Sequence, residues 1–175
     1  MCCDPYYMER PQELIPKLAE AMEMLWSIDV SDCPRHRTID AELEEARYRV
    51  ENRLVDLENA EPSTFGAGGF RAPEDLLHWL EHNRPTYEPV LSHGDFCLPN
   101  LFTDGERFTG FIDVGRVGAG DRWMDLALGW RSLKHNSDGH YGSYPSIDPD
   151  DLFRAAGIPK DPERLRYYLL LDELF

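Results

Sequence analysis

Basic residues are scarce in this 175-residue chain: Lys and Arg total 18 against 33 Asp and Glu, a formal net charge of -15. Nucleic-acid phosphates demand a basic surface, so this balance argues against DNA or RNA as a partner, and against anionic membranes. An acidic cleft concentrates cations and speeds their capture, so the charge suits a polycationic small molecule. Solubility alone would account for it equally well. The four cysteines, Cys2, Cys3, Cys33 and Cys97, form no CxxC pair, which leaves no zinc or disulfide framework. Free thiols fit a reducing cytosol. No apolar run approaches the roughly 18 residues of a membrane span. Met1-Cys2-Cys3-Asp4-Pro5 lacks the basic-then-apolar order of a signal peptide, so a cytoplasmic protein is expected. There is no internal repeat and no low-complexity tract. The length fits one domain or one lobe of a larger enzyme.

What is present reads as mostly helical. Residues 1–10 are expected to be irregular. From Pro11 to Asp29, Leu14, Leu18, Met22, Leu25 and Trp26 recur at helical spacing. A second amphipathic helix is expected from about Thr38 to Leu57, with Ile39, Leu43, Ala46, Val50, Leu54 and Leu57 on its apolar face. Residues 58–72 read as a flexible glycine-rich loop, after which Pro73 opens a short helix. Val90-Leu91-Ser92 is a short strand candidate. Leu98–Thr103 and Arg107–Val114 flank Asp104-Gly105, which favours positive φ and a β-hairpin turn. After the glycine-rich stretch Gly115–Gly120, Asp121 caps a helix. A Gly-, Ser- and Tyr-rich loop follows over 135–146. Asp148-Pro149 and Asp161-Pro162 each open a helix, and Gly157 stops the first of these.

The chemistry is concentrated in His93-Gly94-Asp95-Phe96-Cys97-Leu98-Pro99-Asn100 and Phe111-Ile112-Asp113-Val114-Gly115-Arg116. Phosphoryl transfer needs a carboxylate near the attacking hydroxyl and oxygen ligands for magnesium beside the phosphates. Kinases place an Asp on the catalytic loop, an Asn five residues later and a further metal-binding Asp after a strand. Asp95 and Asn100 have that spacing, and folding the hairpin brings Asp113 back beside Asn100. His93 reads as a hydrogen-bonding core residue rather than a proton carrier.

The HGDxxxxN segment, the IDxGR segment, Asp121-Arg122-Trp123-Met124-Asp125-Leu126-Ala127, Ser27–Pro34 and the terminal Leu-Leu-Asp-Glu-Leu-Phe together resemble the aminoglycoside 3'-phosphotransferases, over nearly the whole chain and in order. Single motifs among these would also fit choline, homoserine or macrolide kinases. The resemblance implies an α+β, mostly helical fold, the C-terminal lobe of a protein-kinase-like enzyme with a small catalytic hairpin, formed by residues 1–175 as one unit. It implies an ATP- or GTP-dependent transfer of the γ-phosphate to an antibiotic hydroxyl. Asp95 would be the catalytic base, with Asn100 and Asp113 holding magnesium and the nucleotide phosphates. Arg116 would lie beside Asp95 and help position it, and Asp125 would brace the catalytic loop. Asp172, Glu173 and the carboxylate of Phe175 crowd three negative charges into four residues. They oppose the helix dipole, at a cost in stability, and by resemblance would bind the drug's ammonium groups. Glu58 and Glu61 are weaker candidates for the same duty. His135-Asn136-Ser137 stands where some relatives carry further acidic contacts, and the loop through Tyr141–Tyr144 reads as lengthened.

The resemblance also implies an N-terminal lobe with a phosphate-covering loop and a strand lysine. No such segment lies between Met1 and the first helix, and Gly66–Gly69 lacks the strand context that a phosphate loop requires. The expectation is therefore a chain with little phosphotransferase activity alone. It would be prone to self-association through the surface where that lobe would dock. A non-catalytic fragment is the competing reading.

Overall fold

Proline and aspartate set the helix starts. In the computed structural model, which describes residues 1–140 and 142–175, α1 is Pro5–Met8 and α2 is Pro11–Trp26, each with proline at its first position. Helix α3 is Ile39–Glu51, where the Thr38 hydroxyl accepts from the Ala41 N–H at 3.2 Å, and α4 is Pro73–His82. Helix α5 is Arg122–Ser137, α6 is Asp151–Ala155 and α7 is Pro162–Asp172. Asp121 caps α5 through the Trp123 N–H at 3.0 Å. Asp161 caps α7 through the Glu163 and Arg164 N–H groups at 3.0 and 3.1 Å.

Residues 123–129 of α5 are all buried, as befits a central helix surrounded by others. It packs on α7, α6 and α2, while α4 packs on α3 and α7. Its Gly129 is closely invested: a Cβ there would stand 3.1 Å from Leu152 and Met22 and 3.3 Å from Phe96.

Two small sheets sit at one side of this helical body. Strands β1 (His36–Arg37), β2 (Val90–Ser92) and β5 (Gly118–Gly120) form a sheet of order β1-β5-β2, with β5 parallel to β1 and antiparallel to β2. Strands β3 (Leu101–Thr103) and β4 (Phe108–Phe111) form the expected hairpin, in register Leu101 to Phe111, around the turn Asp104–Arg107.

Several expectations need correcting. Residues 1–10 are not irregular: α1 forms, Cys2 and Met8 are fully buried, and the Cys2 N–H donates to the Leu101 carbonyl at 2.8 Å. Helix α3 stops at Glu51 because Arg53 turns to positive φ, which leaves Leu54 and Leu57 exposed rather than on the apolar face. The hairpin strands are shorter than expected, since Leu98–Asn100 and Val114–Arg116 each wind into a 3-10 turn. Residues 64–70 close on themselves through Phe70 N–H to Thr64 O at 2.8 Å, so the glycines serve a tight turn. Helix α6 begins two residues late, because Asp148 accepts from the Asp150 N–H and forms a turn first. The glycine-rich stretch hides β5. Its glycines let β1 approach, for a Cβ on Gly118 would lie 2.6 Å from Arg37 Cγ and 2.9 Å from the Arg35 carbonyl. Tyr141, within the segment read as a lengthened loop, lies outside the described residues.

Gly118→Val should therefore prise β1 from β5. The expected cost is about 1–3 kcal/mol of overpacking, read as a lower urea midpoint at unchanged slope.

Candidate active site

The loop after β2 is held from beneath by one carboxylate. Asp125, in the first turn of α5 and fully buried, accepts from Ser92 Oγ at 2.9 Å, the Gly94 N–H at 3.1 Å and the His93 N–H at 3.2 Å. The Trp26 indole, from the last residue of α2, adds a fourth donor at 3.3 Å. Burial pushes the Asp125 carboxyl upward, and these donors pull it back. Gly94 has φ +78, and a Cβ there would strike the Arg116 carbonyl at 2.6 Å, so both conformation and space require glycine.

His93 is fully buried and joins the loop to the hairpin. Its Nδ1 accepts from the Asp95 N–H at 3.3 Å, and its Nε2 donates to the Ile112 carbonyl at 3.0 Å. That pattern defines a neutral ring with its proton on Nε2, occupied on both sides.

Asp95 is then oriented on both oxygens. The Asn100 amide donates to Oδ2 at 2.8 Å and to the Asp95 carbonyl at 3.0 Å, while the Cys97 thiol donates to Oδ1 at 3.2 Å. Burial, and then the neighbouring Asp95 charge, push the Cys97 thiol up, so it remains a protonated donor. The Ile112 N–H donates to the Asn100 carbonyl at 3.0 Å, one step beyond the Leu101–Phe111 pair. Asp113 follows immediately, so its backbone lies beside the 3-10 turn that carries Asn100. Its backbone is left-handed, φ 54 and ψ 49. A non-glycine residue in that region costs about 1–3 kcal/mol and persists where the surroundings impose it. Its exposed carboxylate takes no hydrogen bond or ion pair among the described residues. With the Asn100 Nδ2 committed to Asp95, Asn100 Oδ1 and the Asp113 carboxylate remain as hard oxygen donors. That donor chemistry fits magnesium.

Arg116 lies beside the loop that carries Asp95 and also enters ion pairs. Its backbone packs on Gly94, but the guanidinium turns from Asp95 to Asp172 at 3.1 Å and Glu42 at 3.6 Å, and stacks over the Phe175 ring at 4.6 Å. Its Nη2 is buried without a hydrogen bond. The acidic C-terminus is likewise not left to oppose the helix dipole alone. Arg131 pairs with Asp172 and, at 3.3 Å, with Glu173, and Arg49 donates to the Leu174 carbonyl at 2.8 Å and to that of Phe175. Burial raises the Glu173 carboxyl, while the Glu61 N–H, donating to it at 2.8 Å, and Arg131 lower it.

These groups border a cleft of about 720 Å³ between residues 56–62, α5 and the C-terminus. Asp56, Glu61, Asp172, Glu173 and Phe175 line it, with Arg131 and Cys97 on the side toward Asp95. Glu61 lies 2.6 Å from His135 Nε2. Glu58 is exposed and outside the lining; Asp56 takes its place and accepts the Glu58 N–H at 3.1 Å. Reading the sequence passed over Arg131, Asp56, Glu42 and Cys97. Arg131 alone carried a signal, as a cation beside the buried run of α5.

The chain belongs to the phosphotransferase enzyme family, whose sequence profile matches residues 4–168. It is 37% identical over 178 residues to an aminoglycoside 3'-phosphotransferase of Enterococcus faecalis, an alignment covering 100% of this chain and 64% of that relative. The crystal structure of the type VIII aminoglycoside-3'-phosphotransferase superposes with a TM-score of 0.79 at 34% identity, over 95% of this chain and 62% of that one. A Streptomyces rimosus aminoglycoside phosphotransferase, solved in complex with ADP and streptomycin, gives 0.72 at 26% identity, over 91% and 61% of the two chains. The chain thus spans less than two thirds of the length of these relatives. Among the described residues, no helix is long and apolar enough to cross a membrane.

Asp125→Ala would leave the Ser92 hydroxyl and two backbone N–H groups buried without an acceptor. We expect a loss on the order of 3 kcal/mol in denaturant unfolding, with faster amide exchange at residues 92–95 than elsewhere.

Proposed function

We propose that this chain is the catalytic and substrate-binding lobe of a kinase-like aminoglycoside phosphotransferase, moving the γ-phosphoryl group of ATP or GTP to a hydroxyl of a polycationic antibiotic. The observation that supports the reading is that Asp95 is held on one oxygen by Asn100 and on the other by Cys97, which lines the carboxylate-bearing cleft. Asn100 and Asp113 offer hard oxygen ligands beside it.

The acceptor would enter the cleft with its ammonium groups against Asp172, Glu173, Glu61 and the Phe175 carboxylate. This brings one hydroxyl to Asp95, whose carboxylate, already fixed by Asn100 and Cys97, orients the hydroxyl and accepts its proton as the oxygen attacks. Asn100 and Asp113 would hold magnesium, which neutralises the phosphate charge when bound. Arg116 and Arg131 hold Asp172 and Glu173 in place, so a cationic ligand shares these carboxylates with guanidinium groups. Binding then depends on charge and weakens with salt.

Two measurements test this. Titration calorimetry of kanamycin into the chain should give saturable, salt-sensitive binding. Asp172→Asn with Glu173→Gln should weaken it about tenfold or more, since charge-assisted hydrogen bonds contribute about 1.5–3 kcal/mol each. Binding that is absent, or indifferent to both substitutions, defeats the substrate assignment. Where phosphate transfer from ATP to kanamycin is measured, Asp95→Asn should lower it by about 10²–10⁴-fold with binding retained. Unchanged turnover would remove Asp95 from the mechanism.

A further inference from the structure

Helix α4 presents two faces. Leu76, Leu77 and Leu80 are buried, and the other side carries His78, Glu81 and His82 toward its C-terminal end. One ring nitrogen from each histidine and one Glu81 carboxylate oxygen lie within 4.8 Å of one another. The spacing i, i+3, i+4 stacks these side chains over one helical turn. Among the described residues no other three His, Cys, Asp or Glu side chains converge in this way.

Two of the three already have hydrogen-bonded outer partners. His82 Nδ1 lies 2.7 Å from the His78 carbonyl, to which it donates. Glu81 is held by Arg47, from α3, through Oε1 at 2.5 Å, which leaves Oε2 available. Metal-binding imidazoles and carboxylates characteristically carry such outer partners, which fix tautomer and direction before any ion arrives. The position favours a cation further, because it lies at the C-terminal end of a helix dipole on a chain of formal charge -15.

The geometry points to a divalent transition-metal site at His78, Glu81 and His82, separate from the active site and independent of the function proposed above. Two imidazoles and a carboxylate suit zinc, with water completing the shell, and leave magnesium poorly served. Held to α3 by Arg47 and Glu81, the ion would fasten the end of α4 to its neighbour and stabilise the folded chain.

The test uses untagged full chain with zinc chloride as the probe, in excess magnesium so that hard oxygen sites are filled. Equilibrium dialysis should show zinc uptake that falls about tenfold or more in affinity with His78→Ala and, separately, His82→Ala. Cys3→Ser with Cys33→Ser, which removes two partly exposed thiols, should leave it unchanged. Cobalt in place of zinc should give a visible spectrum without a thiolate charge-transfer band. Zinc should also raise the thermal midpoint of the wild type but not of His82→Ala. No uptake, uptake unaffected by both histidine substitutions, or a thiolate band would each overturn the assignment.

Discussion

The arrangement of the whole site depends on a buried carboxylate that never meets substrate. Asp125 gathers Ser92, His93, Gly94 and Trp26 onto one side chain, and so fixes the end of β2, the loop beyond it and the end of α2 against α5. A charge so deep is costly to desolvate, and four donors are what make it tolerable. The reward is rigidity: Asp95 is delivered by backbone whose N–H groups are already committed. On the function proposed above, that rigidity would orient the reacting group before substrate binds.

Around the cleft, charges alternate. Arg37 pairs with Glu42, Glu42 with Arg116, Arg116 with Asp172, Asp172 with Arg131 and Arg131 with Glu173, where the series ends; Glu173 also accepts the Glu61 N–H. This explains how an acidic C-terminus can end a helix and remain ordered. The carboxylates are neutralised by Arg37 at the sheet, Arg116 in the turn after Asp113, and Arg131 of α5. The same series links the turn after Asp113 to the walls of the cleft, so the two halves of the site share one electrostatic framework.

Much of this was legible in the amino-acid sequence. The Asp95–Asn100 spacing, the turn at Asp104-Gly105 and the caps at Asp121 and Asp161 are local features, and local chemistry determined them. What stayed hidden was long-range. Gly118–Gly120 has no apolar alternation, and it is a strand because β1 and β2, distant in sequence, pair with it on both sides. Leu54 and Leu57 continue the helical period past a residue that leaves the helix. Arg131 is unremarkable until the C-terminus folds back over it, 41 residues on. The direction of the Arg116 guanidinium was likewise decided by Glu42 and Phe175, neither of them near it in sequence.

The alternation of a strand gives the Asn100–Ile112 contact a consequence. Asp113 is flanked by Ile112 and Val114, both largely exposed. If the two arms of the hairpin slipped by a single residue, one of these aliphatic groups would stand where the carboxylate belongs. His93 reads the carbonyl of Ile112 directly, and so acts as a gauge of alignment: only the correct phase satisfies both ring nitrogens at once.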